Sequence, residues 1–271
     1  VLTATRDQVI DDVVAALSQV RGVCAVALGG SRSLGTASPQ SDYDMAVFQE
    51  KAGDIDVPAL EAALERLSGS RPKMTAKLAL AEFELGGRKV ELFFRRLNLI
   101  ADEIEAARNG QFRRWPHALH AAGYLSTVLI SYVTYGRIVW DPQGHLVRLI
   151  ERAHPYPVEL QKRMIQTFKV ESALSVMHAA KVRSPNELPY VAGLYSRAVA
   201  AWTLMLFAAN RRYPIIDKGA TKIIMTLPHR PENYAARTVK LIRDLGAGNL
   251  QQVRVDAARI HKEITGDTLE I

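Results

Sequence analysis

The sequence predicts an α/β domain over residues 1–110 and an all-helical bundle over residues 111–271. Three observations carry that expectation. An apolar run at 23–28 ends in Gly29-Gly30-Ser31, and a second apolar run at 45–48 follows a pair of acids, Asp42 and Asp44. Gly86-Gly87 separates two strand-like stretches. From residue 97 onward the apolar spacing is helical almost throughout. The first part reads as a small mixed sheet of four or five strands with helices on one side.

Taken in order, residues 5–20 have an amphipathic helical pattern. Val9, Val13, Ala16, Leu17 and Val20 recur at helical spacing, and Asp7, Asp11 and Asp12 lie toward the N-terminal half, which favours acids. Residues 22–29 form a strand stopped by the glycine pair. Ser31 is a capping side chain for a short helix after the turn. Residues 43–49 form a second strand, and 58–67 a helix with Pro58 near its first turn. Residues 74–85 and 89–95 form a hairpin closed by Gly86-Gly87. In its second strand Val90, Leu92 and Phe94 share one face, and Lys89, Glu91 and Phe93 the other. Helices are expected at 98–109, 116–133, 144–153, 157–181, 187–210, 216–227, 232–245 and 250–264. An extended piece at 135–144 ends in an Asp141-Pro142 turn. The polar stretch between Gly110 and Pro116 marks the domain boundary, with the active site in the cleft between the halves.

With 271 residues, 48% hydrophobic and 23% charged, the chain can bury a sizeable core. One cysteine, Cys24, excludes a disulfide framework or a cysteine zinc site within the chain and suits a cytoplasmic protein. No secretory signal is read at the N-terminus. The longest apolar stretch, 198–209, is too short to cross a bilayer, so no membrane partner is expected. The 187–210 helix could support a homodimer. The net charge of +7 is uneven: residues 211–243 hold eight Lys or Arg against two acids. Such a surface suits a triphosphate or an RNA.

Asp42 and Asp44 are two apart, so on a strand both leave the same face. Adjacent carboxylates repel unless a cation lies between them, and Mg²⁺ prefers oxygen ligands and substrate phosphates. A helix start after a glycine turn favours an anion such as phosphate. Glu91 is an acid inside an apolar strand and calls for a partner.

The order apolar strand, Gly-Gly-Ser, ten residues, Asp-x-Asp, apolar strand resembles the signature of the DNA polymerase beta-like nucleotidyltransferases, which include kanamycin nucleotidyltransferase and related antibiotic adenylyltransferases. The resemblance covers roughly the first hundred residues. It implies that Gly30 and Ser31 grip phosphate, with Arg32 and Ser41 in the connecting segment. It implies that Asp42, Asp44 and Glu91 are catalytic and hold Mg²⁺, two ions about 3.5–4 Å apart. Glu91 would also serve as general base. Lys218, or Lys222 on the same helical face, would reach the triphosphate. The implied reaction transfers AMP from ATP, or another nucleotide from its NTP, to a hydroxyl of an acceptor that the sequence does not identify, a small molecule or a tRNA, releasing pyrophosphate. Two alternatives stand beside it: a toxin-like enzyme that modifies tRNA, and a non-catalytic nucleotide-binding regulatory module. Three crowded acids would also repel, so Glu91→Gln should stabilise the metal-free protein.

No Gly-x-Ser-x-Gly and no Walker-type Gly-Lys-Ser occurs, which leaves serine-hydrolase and P-loop readings without support. His117 and His120 lack a local acid to complete a zinc site.

Overall fold

The computed structural model describes residues 7–75, 79–117, 121–215 and 218–269. These divide into two compact units, one of residues 1–104 and 129–155, the other of residues 105–128 and 156–271. The boundary is therefore not a single cut at 110. Residues 129–155 return to the first unit because a strand within them pairs with its sheet.

The first unit begins with α1 (Gln8–Leu17), β1 (Ala25–Leu28), α2 (Gly30–Ser33), β2 (Tyr43–Gln49) and α3 (Val57–Ser68). It continues with β3 (Lys73–Met74), β4 (Leu80–Leu85), β5 (Arg88–Arg96) and most of α4 (Leu97–Arg108). Local chemistry explains the boundaries. The Asp56 carboxylate accepts from the Ala59 N–H at 3.1 Å, and Pro58 lies in the first turn of α3. Gly86 and Gly87, at φ +57° and +68°, close the β4–β5 hairpin with two left-handed residues, the geometry that matches strand twist.

The sheet has six strands, one more than expected, in the order β3-β4-β5-β2-β1-β8. The extra edge is β8 (Arg137–Trp140), antiparallel to β1. Only β5 and β2 are parallel among the neighbouring pairs. One face carries Val26, Leu28, Met45, Val47, Val90 and Leu92, buried with Ile10, Val13 and Leu17 of α1 and Leu60 and Leu64 of α3. Each such side chain contributes about 1.5–3 kcal/mol of burial free energy. Part of the other face is approached as well, where helices were expected on one side only. α5 (Val128–Thr134) leads to Gly136, where a Cβ would lie 3.2 Å from Ala27 Cβ. The Arg95 guanidinium stands 4.1 Å over the Tyr132 ring. Ala25, Ala27 and Ala46 leave room for this close approach. α6 (His145–Ala153) closes the unit, its first N–H groups capped by Asp141 Oδ1 and Oδ2 at 2.8 and 2.9 Å.

The second unit contains a two-stranded ribbon and a helical bundle. In the ribbon, β6 (Arg114–Trp115) pairs with β7 (Tyr124–Leu125), and β7 falls inside the helix expected over 116–133, whose C-terminal part forms as α5. Gly123, at φ +80°, permits it: a Cβ there would meet Trp115 O at 2.6 Å. The bundle comprises α7 (Val158–Lys181), α8 (Leu188–Ala209), α9 (Ala220–Ile224), α10 (Tyr234–Gly246) and α11 (Leu250–Thr265). Met164, Phe168, Tyr195, Trp202 and Phe207 fill its core. By length and composition α8 is able to cross a bilayer, since the helix starts ten residues before the apolar stretch read from the sequence. Most of that stretch is buried inside the unit, which is also how the core helix of a bundle reads.

Candidate active site

β2 carries Asp44 between two buried neighbours, Tyr43 and Met45. The parallel register places Asp44 opposite Glu91, and the antiparallel register of the hairpin places Glu91 opposite Glu82. Paired residues in a sheet point to the same side. Glu82, Glu91 and Asp44 thus form a row of carboxylates across β4, β5 and β2, on the face away from α1 and α3. Glu82 was not a sequence candidate. Its alternation with Ala81 and Phe83 gave its face, but only the hairpin register sets it against Glu91.

Lys89 lies two residues before Glu91 on the same strand face. Its Nζ bonds Glu91 Oε1 and stands 2.5 Å from Glu82 Oε1. The two carboxylates raise the lysine pKa, and the bond from Lys89 lowers that of Glu82.

The glycine turn meets this row at Asp44. Gly29 donates its N–H to Asp44 O at 2.7 Å. Gly30 has φ +57°, and a Cβ there would fall 1.9 Å from Asp44 Oδ2. Glycine is required at residue 30 on both counts. Gly29, not Ser31, occupies the cap position of α2, and the helix is a single turn. Ser31 lies inside that turn, where the first N–H groups have no partner within the helix.

Arg32 is committed to the loop that delivers β2. Its Nε donates to Asp42 O at 3.1 Å, its Nη2 to Ser41 O at 2.6 Å, and its guanidinium lies 3.8 Å over the Tyr43 ring. The Ser41 hydroxyl accepts from Ser38 N–H at 2.9 Å, and Ser41 N–H donates to Ser38 O at 3.0 Å. Both residues hold the loop in this structure. Asp42 is exposed at the loop's end, immediately before β2.

Among the described residues, no group of three or more His, Cys, Asp or Glu closes on a common point that could hold a metal ion. Asp44 and Glu91 are brought together by register, while Asp42 remains outside and Glu91 is turned to Lys89. The donor chemistry still fits a hard dication. The candidate ligands Asp42, Asp44 and Glu91 are all carboxylates, the donor type such an ion takes.

Lys218 and Lys222 belong to the second unit, both exposed. They do not share a helical face: Gly219, at φ +89°, starts α9 after Lys218, which stays in the preceding turn. The basic stretch is partly neutralised. Arg237 pairs with Glu263, and Lys240 with Asp244 and Asp256. Even so, the second unit holds 20 Lys and Arg against 11 Asp and Glu. His117 packs on Tyr124, with ring centres 5.6 Å apart, and His120 lies outside the described residues.

No family model and no curated protein matches the chain. Among solved structures it is similar to a nucleotidyltransferase-like protein from Exiguobacterium sibiricum, at 12% identity and a TM-score of 0.41. That likeness covers 96% of this chain and 73% of the other.

Proposed function

We propose that the protein is a nucleotidyltransferase that moves AMP from ATP, or another nucleotide from its NTP, onto an acceptor hydroxyl. The observation that carries this reading is the placement of the Asp44 carboxylate, opposite Glu91 and against the backbone of Gly30. Carboxylates and a phosphate-binding turn side by side are the parts that phosphoryl-type chemistry needs, since its catalysis is mostly positioning and charge stabilisation.

In this reading the backbone N–H groups at Gly30 and Ser31 bind a phosphate of the triphosphate. Arg32 and Ser41 keep in place the loop that ends in Asp42. Asp44 and Glu91, with Asp42 from the adjoining loop, would hold Mg²⁺, which would supply charge neutralisation at the reacting phosphate when bound. Glu91 accepts the proton of the acceptor hydroxyl as its oxygen bonds to the α-phosphorus and the bond to pyrophosphate breaks. The test is mass spectrometry of acceptor panels incubated with ATP and Mg²⁺. An adduct of one AMP, absent with Asp44→Asn, supports the reading; an adduct of equal yield with that variant overturns it.

A second reading takes the acceptor to be tRNA, and one observation favours it: the second unit carries a net +9 while the first carries −2. A polyanion acceptor should lose affinity steeply with salt, through release of counterions. Binding of tRNA that is flat between 50 and about 200 mM salt would remove that reading.

A further inference from the structure

Lys89, which pairs with the carboxylate row, and Glu82 within it are left without a role by the proposed chemistry. Lys89 stands on the strand face of Glu91, bonds that carboxylate, and lies 2.5 Å from Glu82 on the neighbouring strand. A cation there and a metal ion on Glu91 compete for the same oxygens. Both bound at once would place like charges within a few ångström, which disfavours the doubly occupied state.

We propose that Lys89 is an exchangeable counter-ion for Glu91, and that Glu82 is a positioning residue that takes Lys89 over when Glu91 turns to a divalent cation. The proposal rests on Glu91 being a metal ligand. Its geometry is built in by the hairpin. The two-glycine turn fixes the register, the register sets Glu82 opposite Glu91, and strand alternation puts Lys89 on their side. With Glu82 present the ammonium keeps one carboxylate partner after leaving Glu91. Without Glu82 it has only Glu91, and the metal must displace it into water. Lys89 is 43% exposed, so the exchange needs only a side-chain rotation.

The test is Mn²⁺ binding by the full chain, read from the free-ion EPR signal, for wild type, Lys89→Gln, Glu82→Gln, the double variant and Asp44→Asn. Lys89→Gln should bind Mn²⁺ about fivefold more tightly, the effect of removing one charge at this range. Glu82→Gln should bind about fivefold more weakly while Lys89 is present, and within about twofold of its parent in the Lys89→Gln background. That coupling separates hand-over from a plain field effect, in which Glu82→Gln weakens binding equally in both backgrounds. Equal weakening, or unchanged affinity in Lys89→Gln, overturns the proposal while wild-type binding that is lost in Asp44→Asn leaves the metal site standing. Wild type and Asp44→Asn binding Mn²⁺ alike overturns both.

Discussion

Asp44 on β2 and Glu91 on β5 face each other in the sheet's one parallel pairing, and Lys89 holds the Glu91 carboxylate from two residues away. The pairing brings together residues 47 positions apart, and the lysine offsets the repulsion their proximity creates.

Neutralising Glu91 should therefore have little effect on the metal-free fold. The sequence alone led to the expectation that Glu91→Gln relieves repulsion and stabilises the protein. With Lys89 in place the gain and the lost ion pair offset, and the change in unfolding free energy should stay within about 0.5 kcal/mol. Urea melts in EDTA measure it. Stabilisation well above that range would mean Lys89 does not neutralise the row in solution.

Gly30→Ala and Gly35→Ala form a matched pair. Both glycines have left-handed φ, +57° and +68°, so alanine costs each about 1–2 kcal/mol of backbone strain. Only at Gly30 would the new Cβ strike a neighbour, Asp44 Oδ2; nothing lies within 4 Å at Gly35. Gly30→Ala should lose Mn²⁺ binding and nucleotide transfer, and Gly35→Ala should retain both. Equal loss in the two variants would mean that strain, not the contact with Asp44, is responsible.

Much of this arrangement was legible in the chain. β2, the glycine hairpin, α6 to α8 and the paired faces of β5 all follow from alternation, turn residues and helical spacing. Glu82 was hidden because register, not residue type, makes it a neighbour of Glu91. The ribbon at 114–125 was hidden because its apolar residues also fit a helix, and the decisive feature is the approach of Gly123 to Trp115. Lys218 was placed on a helix because the start imposed by Gly219 is a backbone angle that spacing does not reveal. β8 was legible as extended, but not as the sixth strand, since its partner β1 lies more than a hundred residues away.

Arg32→Lys should behave as a loss, not a conservative change. The arginine spends Nε and Nη2 on two carbonyls and its face on Tyr43, which one ammonium cannot reproduce. Each hydrogen bond to a charged donor is worth about 1.5–3 kcal/mol when well formed. Because this site is partly open to solvent, the expected loss of stability is about 1–2 kcal/mol, from urea denaturation. Arg32→Lys should also raise the KM for nucleotide as Asp42 loosens. An unchanged KM would remove Arg32 from positioning of the loop.

His261 should make the protein acid-sensitive. Its ring is fully buried, Trp202 Nε1–H donates to its Nδ1 at 3.3 Å, and Nε2 has no partner among the described residues. Burial lowers its pKa below 6.5, opposed by Asp267 and assisted by Lys169. The folded state thus holds neutral imidazole where the unfolded chain binds a proton. The stabilisation is complete above the unfolded pKa and is lost as pH falls through 6.5 toward the folded value. Urea midpoints at pH 7.5 and 5 should differ in wild type and differ less in His261→Gln. Identical pH dependence in the two proteins would remove His261 as the cause.

The most direct measurement of the central claim is pyrophosphate release from ATP with Mg²⁺ and a reactive acceptor, comparing wild type with Asp44→Asn of equal thermal stability. Wild type should release pyrophosphate in step with AMP-modified acceptor, and the variant should fall by about a hundredfold or more, as when a charge aimed at the reacting phosphate is removed. Turnover by Asp44→Asn within a few-fold of wild type would contradict the assignment of this carboxylate row as the catalytic centre.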